Sequence, residues 1–150
     1  MTQASKRTHH LAVAAMLSAV AAVLQFVEFS IPLIPSFVKL DISDLPALLG
    51  TFSLGPVYGV VIQLVKNLLH LPFGSSAGVG ELSNFILGAV FVLCAGLVYH
   101  KHKSRKGALI GAMLGAVLMA VVSVPSNYFF VYPAYVKAVS YTHLTLPTIR

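Results

Sequence analysis

The residues able to do chemistry in this chain are few and they cluster. Lys39, Asp41 and Asp44 stand close together; Lys66, Asn67 and His70 close the apolar run that follows. Glu81 and Asn84 lie one helical turn apart, and Asn127, Tyr128 and Tyr132 fall just after a late proline, Pro125. Only 9% of residues are charged, 57% are hydrophobic and the mean hydropathy is +0.87, so every ionisable side chain needs a reason. Near hydrocarbon, an ionisable group is by default a functional-site candidate. The set is rich in hydrogen-bond donors and acceptors from several segments, which suits a small polar molecule held among helices. Simpler roles exist for single members. Lys66 can snorkel, Asp44 can cap a helix and Asn84 can bridge two helices.

Catalysis is poorly supported. Asp41 and Asp44 have no HExxH, GxSxG or DxxD-type motif beside them, and no GxxxxGK[ST] loop is present. Gly78-x-Gly80 reads as a turn. His9-His10 and His100-x-His102 lie in cationic stretches, and the single cysteine, Cys94, excludes an internal disulfide and a multi-thiolate metal site. Neither a metal nor a cofactor is expected. The net charge of +6 comes from short Lys/Arg clusters beside apolar runs, a topology signal and not a nucleic-acid-binding face.

The elements that must position these residues are membrane helices. Several segments approach the roughly 20 apolar residues needed to cross a bilayer. The pattern predicts an all-α integral membrane domain over residues 1–138, with helices at about 10–31, 44–54, 57–70, 81–100 and 107–130. Lys6, Arg7, His9 and His10 precede the first, which is read as uncleaved and not as a signal peptide. Pro32 and Pro35 end it. Ser43 or Asp44 caps the second, with Pro46 in its first turn. Ala15 and Ala19 on the first helix, and Gly107, Gly111 and Gly115 on the fifth, form small-residue strips suited to close helix contact. For the alanine strip, a partner subunit and packing inside the bundle are both open.

Charge placement decides between one crossing and two for residues 44–70. The positive-inside rule wants Lys6 and Arg7 on the same side as Lys101, Lys103, Arg105 and Lys106. That requires an even number of crossings between them, so 44–54 and 57–70 each count as one. The acids Glu28, Asp41, Asp44 and Glu81 then fall on the outer half. The cost is length, because 44–54 as helix covers only about 16 Å. Residues 139–148, VSYTHLTLPT, look like a translated sequencing adaptor. Residues 139–150 are therefore expected to be a non-native tail and the bundle to stop after five helices.

At these residues the chain resembles a known family. FVKLDISDLPALLGTFSLGPVYGVVIQLVKNLLH, GVGELSNFILGAVFVLCAG and SNYFFVYPAY are similar to the riboflavin-binding S component of energy-coupling factor vitamin transporters, over roughly residues 10–137. The resemblance implies a six-helix bundle with both ends cytoplasmic, in a prokaryotic plasma membrane. It implies riboflavin as transported substrate, bound from outside, and partnership with a membrane T component and two ATPase subunits. It implies pocket roles for Lys39, Leu40, Asp41, Asn84 and Asn127, beside which the polar cluster adds Asn67, Glu81, Tyr128 and Tyr132. It also implies that Ala15-Met-Leu-Ser-Ala19 docks on the T component. The chain departs from the pattern in lacking a sixth helix. The alternatives are an S component for FMN or another vitamin, with Lys39 and Lys66 holding a phosphate, and a ligand-free structural membrane subunit.

Overall fold

In the computed structural model the described residues are 3–27, 29–30, 39–40, 42–73, 78–126, 128–129, 133 and 136. They form five long elements, α1 Gln3–Gln25, α2 Asp44–Leu54, α3 Pro56–His70, α4 Val79–Lys101 and α5 Arg105–Ser126. A two-residue antiparallel ladder joins β1 Phe29–Ser30 to β2 Lys39–Leu40, pairing Phe29 with Leu40 and Ser30 with Lys39. The first helix therefore differs from its expected span of 10–31. It starts earlier, because the polar residues from Gln3 onward continue the same helix. It ends at Gln25, where Phe26 and Val27 close a tighter turn by donating to Val23 and Leu24 carbonyls. The extended backbone at Phe29–Ser30 excludes any longer helix.

Between α2 and α3 the chain reverses at Gly55, whose φ of 114° belongs to the left-handed side that glycine tolerates. Pro56 then opens α3 at the position where its missing N–H costs nothing. α2 and α3 lie antiparallel with little between them: Gly59 faces Thr51 and Gly50 faces Ile62, and an added Cβ at either glycine would collide with those side chains. The turn before α5 is fixed by Ser104, whose Oγ accepts the Gly107 N–H at 3.0 Å.

The helix directions follow from paired contacts. His10 meets Tyr58 with ring centroids 5.7 Å apart, while Gln25 reaches Asn67 and Phe26 reaches His70 at the other end, so α1 and α3 are parallel. α4 is antiparallel to α3, with Glu81 against His70 and Gly96 against Pro56. α5 returns antiparallel to α4. A Cβ at Gly111 or Gly115 would lie 2.8 Å from the carbonyl oxygens of Ala95 and Phe91, so only glycine permits this backbone approach. Lys6 and Arg7 consequently share one end of the bundle with Lys101, Lys103, Arg105 and Lys106, as the parity of crossings requires.

The bundle is polar inside and apolar outside. Its buried apolar cluster is made mostly of small side chains, Ala14, Ala21, Ala47, Ile62 and Val92. The largest fully buried side chains instead include Lys66, Gln25 and Gln63. Leu11, Met16, Val57, Leu109, Met113 and Val121 are among many large apolar residues left exposed. α1, α4 and α5 are long and apolar enough to cross a membrane; α2 and α3, with 11 and 15 residues, are shorter.

Candidate functional site

The polar groups gather toward the end opposite the basic loops. α2 begins there with Ser43 and Asp44. Ser43 occupies the N-cap position but makes no side-chain capping bond, which corrects the expected capping role. Its Oγ instead accepts from Lys66 Nζ at 2.5 Å. Lys66 Nζ also donates to Asp44 Oδ1 at 2.6 Å, and Gln63 Nε2 donates to the same oxygen at 2.8 Å. Lys66 does not snorkel. Its side chain is fully buried, with the Asp44 carboxylate at the start of α2 and the Ser43 hydroxyl just before it among its partners.

Next along the interior, Asn67 donates through Nδ2 to the Gln63 carbonyl at 2.8 Å and accepts from Gln25 Nε2 at 3.4 Å. This links α1 to α3. One turn on, His70 Nδ1 lies 3.3 Å from Glu81 Oε1, linking α3 to α4. The Phe26 ring leans on His70 at 5.1 Å and on Phe73 at 5.3 Å, making an aromatic rim beside that pair. Between α4 and α5, Ser83 and Ser126 bring their buried hydroxyls within 3.4 Å.

Of the site residues expected from the sequence, Asn67 and Glu81 are thus brought into the buried polar set. Asn84 is half-buried on α4, one residue beyond Ser83. Lys39 and Leu40 form the second strand of the ladder, which places their backbone next to β1. Tyr128 is not brought to the cluster: it is 71% exposed, with its ring edge-on to Phe129. Asp41, Asn127 and Tyr132 lie outside the described residues, as do residues 31–38, 74–77 and 139–150. Ala15 and Ala19 are exposed on α1, whose buried face is Ala14, Ser18, Ala21, Ala22 and Gln25. The strip therefore points away from the other described helices.

Sequence reasoning missed Gln25 and Gln63. Each interrupts an apolar run, AVLQFV and VVIQLV, and an amide in such a run is costly unless it bonds across helices. That anomaly was the available signal. Among the described residues no group of three or more His, Cys, Asp or Glu could hold a metal ion.

An apolar-surfaced helical bundle with its hydrogen-bonding groups drawn inward defines an integral membrane protein with a polar interior site. The chain belongs to the family of ECF transporter substrate-specific components, whose model matches residues 9–148. It is 42% identical over 120 residues to the riboflavin transporter RibU of Staphylococcus aureus (strain TCH60), covering 80% of this chain and 64% of that protein. It is 37% identical over 128 residues to the riboflavin transporter FmnP of Bacillus subtilis (strain 168), covering 83% and 67%. A solved structure described as the structure and mechanism of the S component of a bacterial ECF transporter superposes with a TM-score of 0.81. It is 41% identical, with 86% of this chain and 77% of that one covered. The chain spans about two thirds of the length of these curated relatives, 64% and 67%.

Proposed function

We propose that the chain is the riboflavin-binding S component of an ECF-type vitamin transporter. It captures the vitamin on the outer side of a prokaryotic plasma membrane and delivers it inward with a T component and two ATPase subunits. The observation that carries this reading is the buried polar set spanning α1, α2, α3 and α4 at the end away from the basic loops, in a chain similar to two riboflavin transporters. Lys39, Leu40, Asp41, Asn84 and Asn127 belong to the proposed pocket. Asn67 and Glu81 support its inner wall, and Tyr132 its approach, while the exposed Tyr128 is left out. The flavin ring needs an apolar slot and donors along one edge, while its hydroxylated chain needs acceptors and amides.

One observation weighs against a phosphorylated flavin. Lys66 is already held between Asp44 and Ser43, so it is committed within the bundle instead of facing a phosphate with Lys39. Titrating the full chain in detergent with riboflavin, and following flavin fluorescence, tests the function. Saturable quenching is expected; the absence of any quenching defeats the proposal and favours a structural subunit.

A further inference from the structure

Among Ser43, Asp44, Gln63 and Lys66, Asp44 alone reaches an accessible surface. Its side chain is 19% exposed, whereas that of Lys66 is 0% exposed. Both bonds that the described residues make to its carboxylate fall on Oδ1, from Lys66 Nζ at 2.6 Å and Gln63 Nε2 at 2.8 Å. No hydrogen bond from the described residues falls on Oδ2, which keeps its capacity to accept.

The carboxylate is also oriented at some cost. Gln63 spends its Nε2 on Asp44 while its own Oε1, fully buried, has no hydrogen-bond partner. A buried carbonyl in that state is unfavourable, and such exceptions call for an explanation. Gly88 of α4 closes the other side. A Cβ there would lie 2.6 Å from Gln63 Cδ and Oε1, so the carboxamide is pinned by backbone. Lys66 balances the charge, and the start of α2 adds the positive end of a helix dipole. The result is a fixed, charge-compensated acceptor that needs no reorganisation when a donor arrives.

Resting on the flavin reading above, we propose that Asp44 Oδ2 accepts a hydrogen bond from a hydroxyl of the ligand's polyol chain, and so sets the preference for hydroxylated over bare flavin rings. A carboxylate only accepts. Beside the ring edge, where carbonyl acceptors flank one N–H, it would face repulsion as well as attraction. A hydroxyl turns its single proton to the carboxylate freely. A phosphate at the same place would meet like charge.

The test compares riboflavin with lumiflavin, which carries a methyl group in place of the polyol chain. The full chain should bind riboflavin at least about tenfold more tightly, the effect of roughly 1.4 kcal/mol. In Asp44→Leu/Lys66→Met, which removes both charges together, lumiflavin affinity should hold within about twofold while riboflavin falls to the lumiflavin level. Equal affinity of the parent for both flavins overturns the assignment whether or not the variant folds. So does a variant that keeps the full preference for riboflavin, or one in which both ligands weaken equally, since the pair then acts only through the fold. A parent that binds neither flavin defeats the function itself, a result distinct from each of these.

Discussion

Lys66 Nζ lies 2.6 Å from Asp44 Oδ1, and this ion pair ties the middle of α3 to the first turn of α2 inside the bundle. Two charges in such a place are tolerated because each supplies what the other lacks, and because Ser43 and Gln63 add further bonds. Lys66→Met alone leaves the Asp44 carboxylate without its counter-charge and should cost about 3–5 kcal/mol, whereas Asp44→Leu/Lys66→Met should recover most of that loss. Thermal unfolding of the detergent-solubilised proteins measures both. A single variant as stable as the parent would mean that the pair is not structural.

Gly88 and Gln63 make a second coupled pair. Gly88→Ala places a methyl group against the Gln63 carboxamide and should destabilise by about 1–3 kcal/mol, as overpacking does. Gln63→Ala opens that space, so the double variant Gly88→Ala/Gln63→Ala should lose less than the sum of its parts. Strict additivity in a double-mutant cycle would contradict the contact.

Ala15 and Ala19 face outward, where added bulk does not disturb the bundle. Ala15→Leu/Ala19→Leu should therefore abolish riboflavin uptake in cells that supply the partner subunits while binding by the purified chain changes less than about twofold, since small residues let a partner helix approach. Loss of binding and uptake together would return the strip to internal packing.

The bundle places both basic clusters at one end, and the positive-inside rule predicts that this end faces the cytoplasm. In a Cys94→Ser background, an impermeant thiol reagent added to intact cells should label Ser76→Cys and spare Ser104→Cys. The reverse pattern would invert the topology.

Asn127 follows the last described turn of α5, behind Pro125. Its amide offers both donors and acceptors, so Asn127→Ala should weaken riboflavin binding about ten- to a hundredfold, the effect of losing one hydrogen bond in a dry pocket. Unchanged affinity in a folded variant would remove it from the site.

Hydropathy and charge placement alone determined a good deal. A membrane class, five helical segments, the break at Gly55-Pro56 and the glycine strip of α5 are local or periodic properties, readable because bilayer crossing and close helix approach constrain residue type directly. The even number of crossings followed from Lys6, Arg7 and the 101–106 cluster without any contact being known. What the sequence left open were matters of partnership. Lys66 reads equally as a snorkelling cation or a phosphate ligand until α2 is folded back against α3, putting Asp44 and Ser43 within reach of its ammonium group. Ser43 loses its capping bond to the same event. Beyond the end of α1 at Gln25, Phe29–Ser30 pairs with Lys39–Leu40, and no propensity within either segment encodes that pairing. Gln63 acquires meaning only through Asp44, which it bonds, and Gly88, which packs on it, 19 and 25 positions away in the chain. A buried polar group is defined by whichever side chain meets it, and only the packing of helices decides that.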